Sequence, residues 1–109
     1  MNTSMMNKLL AQQANQFKAL SDEFRLRILL YLYLNGEKCV CDICKFFNMG
    51  QSNISYHLKL LSDANLINKK RVAVWNYYSL NTESNLYPYL CEIFRNINQE
   101  ELIENVANG

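Results

Sequence analysis

Four cysteines stand in the chain, Cys39, Cys41, Cys44 and Cys91, and the first three fall close together. This is a poor layout for a disulfide framework, because cross-links that close tiny loops gain little. Residues 1–14 hold no apolar signal stretch, which places the chain in a reducing cytoplasm. There such a cluster reads as metal-binding or redox-active before it reads as structural. The i,i+3 spacing puts Cys41 and Cys44 on one side of a short helix, with Cys39 at or before its start. Thiols at a helix N-terminus ionise more readily. Three thiolates with no His or fourth Cys nearby suit a soft ion content with three sulfurs, such as trivalent arsenic or antimony; zinc prefers four ligands. Cys91 becomes a fourth ligand only if the fold brings it close. Two alternatives stay open. Buried cysteines act as small hydrophobes, and Cys41-Asp42-Ile43-Cys44 has the spacing of a redox motif, although the βαβ context of that motif is absent.

The elements that must hold these thiols follow from periodicity. Asn7 to Leu20 gives a mixed helical pattern. Ser21 is expected to cap a second helix, Glu23 to about Leu34, whose apolar residues Phe24, Leu26, Ile28, Leu29, Leu30 and Leu32 mark it as the central core helix. Asn35-Gly36 stops it. A short helix from about Cys41 to Phe47 follows, then the turn Asn48-Met49-Gly50, then a helix from about Gln51 to Ala64 with Ser52 as its expected cap. Asn65 ends that helix, where a left-handed conformation is needed. Residues 66–71 and 74–80 read as two strands around a turn at Val72-Ala73 that lacks the usual Asn-Gly signal. One last helix is expected from Thr82 or Ser84 onward. The order is α-α-α-α-β-β-α, mainly helical with a small hairpin, which is a winged helix-turn-helix. A single domain spans residues 1–109, with disordered or frayed ends at about 1–6 and 100–109.

The start of the fourth helix carries short hydrogen-bonding side chains suited to base edges and phosphates in a major groove: Gln51, Ser52, Asn53, Ser55, Tyr56, His57 and Lys59. Lys69, Lys70 and Arg71 on the hairpin suit phosphates or an adjacent minor groove. The lone His57 has no ligand-spaced partner on its helix, so a phosphate contact or an exposed polar role is expected for it. Gathering Cys39, Cys41 and Cys44 around one atom would bend or unwind the start of the third helix. That strain would disturb the reading helix, so a bound ion would lower DNA affinity.

Eleven Lys+Arg face ten Asp+Glu, for a net charge of +1, but the sum hides an asymmetry. Residues 51–80 carry +3 and residues 81–109 carry −4, which suits a DNA face separate from an association face. One copy offers few phosphate contacts, so a homodimer on palindromic operator DNA is expected. Leu10, Phe17, Leu86, Leu90, Ile93, Phe94 and Ile97 are the candidate seam, unless the stripe packs on its own core. Half the residues are hydrophobic, which excludes wholesale disorder, and no apolar run reaches the ~18–20 residues of a membrane span. No nucleophile–base pair, phosphate loop or carboxylate pair stands out, so no enzyme and no organic cofactor is expected.

Three segments carry a resemblance: Phe17 through Leu29, Cys39-Val40-Cys41-Asp42-Ile43-Cys44, and Gln51 through Leu61. Together they resemble the ArsR/SmtB family of bacterial metal-sensing repressors over about Phe17 to Leu80. The Cys-Val-Cys-Asp box is that family's signature, and the third Cys resembles its arsenic-responsive branch. The resemblance implies that Cys39, Cys41 and Cys44 bind trivalent arsenic or antimony as inducer and release the dimer from a resistance operon. The chain departs from other branches: no Cys precedes Cys39, as in cadmium and lead sensors, and no His stands on the last helix, as in zinc, cobalt and nickel sensors. Lys38 and Asn65 replace an apolar residue and a Gly common in the family. A redox input through Cys41 and Cys44 is the first rival reading. A thiophilic-metal-binding protein without operator function is the second.

Overall fold

The computed structural model describes residues 3–108. Its elements run α1 (Thr3–Leu20), α2 (Glu23–Asn35), β1 (Lys38–Cys39), α3 (Val40–Phe47), α4 (Gln51–Asp63), β2 (Ile67–Val72), β3 (Trp75–Leu80), α5 (Tyr87–Phe94) and α6 (Gln99–Asn108). A helix that is apolar on every side has no face to offer water and must be surrounded. α2 meets that condition: Ile28, Leu29, Leu30, Tyr31 and Leu32 are all buried. Around it pack Ile43 of α3, Ile54, Leu58 and Leu61 of α4, and Leu90 and Phe94 of α5.

Local chemistry sets the helix ends, and here several expectations are corrected. Asp22, not Ser21, caps α2, its Oδ2 accepting from the Arg25 amide at 2.9 Å. Ser21 instead donates its hydroxyl to Lys18 O at 2.8 Å and closes α1. Gly50 occupies the cap position of α4 with no side-chain cap bond, so Ser52 stands inside the helix rather than at its cap. The expected single last helix is two. Asn81 and Ser84 side chains accept from the Glu83 and Leu86 amides, holding residues 81–86 in turns. Asn98 Oδ1 then accepts from Glu101 N at 2.9 Å and starts α6, with Glu100 and Glu101 in its first turn. Residues 3–6 and 100–108, expected to fray, are helical; residues 1, 2 and 109 lie outside the described residues.

The hairpin β2–β3 is antiparallel, with Val72 opposite Trp75 across Ala73-Val74. Ala73 has φ +57°, a left-handed value at the first central position, where such turns favour glycine. Asn65 adopts φ +59° at the end of α4, as expected. The sequence reading did not anticipate β1. This two-residue strand makes the sheet three-stranded in the order β1-β3-β2, so β3 is its centre. Among the described residues no helix is long and apolar enough to cross a membrane.

Candidate thiol site and nucleic-acid interface

α3 begins at a sulfur. Cys39 is its N-cap, and Cys39 Sγ accepts from the Asp42 amide at 3.4 Å. Ser, Thr, Asp and Asn are the usual residues here because oxygen is the better acceptor. The Cys39 and Cys41 sulfurs are bonded to each other, with Cα atoms 5.4 Å apart. Asp42 Oδ2 lies 3.3 Å from Cys39 Sγ, a distance at which the free thiol donates a hydrogen bond to the carboxylate. Cys39, Cys41 and Asp42 thus present two sulfurs and an oxygen within 4.8 Å of one another, Cys39 buried and the other two exposed.

Two features differ from the sequence reading. The adjacent pair is Cys39 with Cys41, whereas the i,i+3 argument joined Cys41 with Cys44. Cys44 is half-buried against the core and lies outside the group. Burial pushes its thiol above the ordinary range, partly opposed by a backbone hydrogen bond, so it does not share the readily ionised state expected of a helix N-terminus. Cys91 also lies outside the group; it sits on α5 beside Tyr87. Asp42 is the member that attention to the thiols alone left out, although its place directly after Cys41 was visible.

As a fit for a trigonal three-sulfur ion, the arrangement brings two sulfurs together, bonded to each other until reduced, and leaves the third outside the group. Closing it requires Cys44 and the N-terminal turn to approach each other. Cys44 is tied to the next helix: its carbonyl accepts from Met49 N at 3.1 Å, in the turn that leads to α4. Asn48, at φ +53°, caps α3 with its amide on the carbonyls of Cys44 and Lys45. Cys44 is thus hydrogen-bonded to the residue just before the cap of α4.

On α4, Ile54, Leu58 and Leu61 face the core, which leaves Gln51, Ser52, Asn53 and Tyr56 exposed and Ser55 half-exposed. His57 differs from its expectation. It is half-buried, its ring 5.0 Å from Phe24 and 5.2 Å from Tyr56. Arg25 Nη1 lies 3.2 Å from His57 Nδ1; guanidinium can only donate, so Nδ1 accepts and the proton of the neutral ring sits on Nε2. Burial holds the His57 pKa below 6.5, Asp22 opposing and Arg25 assisting. The same Arg25 donates to Ala19 O at 2.7 Å and Lys18 O at 3.4 Å, so one guanidinium joins the end of α1, α2 and α4. His57 thus positions α4 rather than standing free on its surface, and no spacing rule in the sequence pointed to Arg25.

The basic residues are exposed, but several are engaged. Lys59 pairs with Asp63 at 2.9 Å and Lys70 with Glu37 at 3.7 Å. Arg71 Nε donates to Ala73 O at 3.2 Å across the hairpin turn, and Lys69 is exposed on β2. Of the expected seam, Leu90 and Phe94 are buried in the chain's own core, and Leu86 and Ile97 pack partly against it. Only Leu10, Phe17 and Ile93 stand exposed, at 60%, 56% and 41%. Helical spacing could not separate the two faces of α5.

Residues 22–69 match the family described as "Bacterial regulatory protein, arsR family". The chain is 47% identical over 92 residues to the "Arsenical resistance operon repressor" of Bacillus subtilis, covering 82% of this chain and 88% of that protein. It is 44% identical over 64 residues to the protein of the same name in Escherichia coli, covering 59% of this chain and 55% of that one. The solution structure of a homodimeric winged helix-turn-helix DNA-binding domain from Mycobacterium bovis is similar with a TM-score of 0.70 and 27% identity, over 99% of this chain and 89% of that chain. Fold, box and similarity agree that the chain belongs to the arsR family of bacterial regulatory proteins.

Proposed function

We propose that this protein is a homodimeric repressor of an arsenic-resistance operon, acting in the cytoplasm and released from palindromic operator DNA by trivalent arsenic or antimony at Cys39, Cys41 and Cys44. The observation that carries the reading is the sulfur pair at the N-cap of α3, one helix before α4. The names of the B. subtilis and E. coli relatives support the operon type. In chemical terms, arsenous acid exchanges its three hydroxyls for the sulfurs of three thiols, and the three thiol protons leave with the hydroxyls as three waters. The Cys39–Cys41 bond must first be reduced by exchange with two cellular thiols, which give up two electrons and two protons and leave as their own disulfide, to free both sulfurs. Gathering Cys44 to them strains α3 and, through Met49, the start of α4. The ion then favours the state that does not bind DNA.

Gln51, Ser52, Asn53, Ser55 and Tyr56 read the operator, and Lys59, Lys69, Lys70 and Arg71 supply phosphate contacts. His57 supports this surface from beneath. α1 argues for the dimer. Its 18 residues bury only Ala19 within the chain, while Leu9, Leu10 and Phe17 face outward, as do Tyr89 and Ile93 of α5. An apolar surface of this kind on a small domain marks an association face.

The test is fluorescence anisotropy on the DNA upstream of the protein's own gene, with arsenite, zinc, cadmium and peroxide titrated separately under thiol reductant for the metals. Release by arsenite supports the reading; sequence-specific binding that arsenite leaves intact overturns it. A second reading, release by oxidation, is favoured by the bonded Cys39 and Cys41 in place of the Cys41–Cys44 pair expected from spacing. Release by peroxide alone selects it. Tight metal binding with no sequence preference for DNA selects the scavenger.

A further inference from the structure

Cys39 belongs to two elements at once. It is the N-cap of α3 and the last residue of β1, the strand that joins the wing sheet. In that sheet Cys39 stands opposite Tyr77 of β3, and Tyr77 stands opposite Lys70 of β2. The neighbouring row runs Lys38, Tyr78, Lys69. Each row crosses three strands, so about 10 Å of hydrogen-bonded backbone separates the sulfur-bearing residue from a basic residue of the wing. A second tie runs beside the first: Glu37, just before β1, pairs with Lys70 at 3.7 Å. Tyr78, next along β3, is buried in the core and anchors the strand at that end.

From this geometry we infer that the thiol cluster controls the wing as well as α3, and that inducer binding detaches β1 from β3. The inference rests on the proposed reading that Cys39, Cys41 and Cys44 take trivalent arsenic. Gathering Cys39 and Cys44 toward one ion draws Cys39 along α3, out of its register with Tyr77. β1 is only two residues long, so its ladder is the weakest link between the ion and the anchored β3, and it breaks first. Once β1 leaves, β3 becomes an edge strand with backbone groups open to water near Tyr77 and Tyr78. Release then acts on both elements of the DNA face, α4 through the Cys44–Met49 bond and the wing through Cys39.

Hydrogen–deuterium exchange on the reduced 109-residue protein tests this, with arsenite alone as probe and operator release measured in parallel. Arsenite should speed exchange across residues 75–80 by about tenfold, together with a change across 38–47. Trp75, the only tryptophan, lies on β3 and supplies a second readout by its emission. In Cys44→Ser, where two sulfurs remain and no gathering is needed, arsenite should leave residues 75–80 unchanged. Operator release with a change at 38–47 but none at 75–80 overturns the inference and spares the proposed function. An equal response at 75–80 in Cys44→Ser overturns gathering as its cause. If arsenite neither binds nor releases, the proposed function falls and this inference with it.

Discussion

α3 is eight residues long, and its two ends are held in opposite ways. At the C-terminal end Phe47 is buried, and its ring lies 5.0 Å from Phe24, 5.7 Å from Tyr31 and 4.9 Å from Phe46. At the N-terminal end the cap is a sulfur at 3.4 Å, Cys41 and Asp42 are exposed, and the chain leads straight into a two-residue strand. One end is fixed by close packing, which yields only in discrete steps. The other is held by a long hydrogen bond, a short ladder and the Cys39–Cys41 bond, which reduction removes. On the proposed function, a ligand that must deform α3 would deform it from its N-terminus.

Substitutions can break this contrast, and the largest effect belongs to the packed end. Phe47→Ala removes a ring that touches three others and should cost about 3–5 kcal/mol in urea unfolding, enough to threaten a small domain. A loss under 1 kcal/mol would mean that the two ends are equally loose. Cys41→Ser should leave operator affinity intact and raise the arsenite needed for half-release by about a hundredfold, equal to about 2.7 kcal/mol. Normal release in that variant would place the switch away from the open end.

A pH series sharpens the same comparison at the packed end, where Phe24 bridges Phe47 and His57. Burial keeps the folded His57 pKa below its unfolded value of 6.5. Its contribution is therefore complete above 6.5 and is lost as pH falls through the folded value. Wild type should lose stability on acidification relative to His57→Phe; parallel pH curves for the two proteins would remove His57 from the packed cluster. The smallest effect is expected at the cap. In reduced protein, where Cys39 no longer bonds Cys41, Cys39→Ser exchanges sulfur for a better acceptor and should change stability by no more than about 1 kcal/mol.

The fold was legible because its strongest signals are local. The all-round apolarity of α2, the Asn65 helix stop and the β-rich run before Leu80 each act within a few residues. What escaped depends on contacts between distant positions. β1 has no sequence signature; it exists because residues 38 and 39 lie alongside Tyr77 and Tyr78. The break after Phe94 turns on Asn98 acting as a cap, which a run of helically spaced apolar residues concealed. Within the site, the three-cysteine spacing pointed to a thiol cluster, but spacing on an ideal helix joined Cys41 to Cys44. The cap geometry joins Cys39 to Cys41 instead, because Cys39 lies in extended backbone before the helix begins. The inward turn of His57 was hidden for a related reason: its partner Arg25 is 32 positions away.

The outward apolar stripe of α1 carries a consequence in mass action. In the proposed homodimer, a helix that buries only Ala19 within its own chain would draw the rest of its stability from a second copy. Where free chain predominates, the amount of assembled repressor rises as the square of the chain concentration. Thermal midpoints should accordingly climb with protein concentration. In a cell whose operator is far from saturated, halving synthesis of a dimerising chain would cut operator occupancy by more than half, so gene dosage itself becomes an input to the circuit.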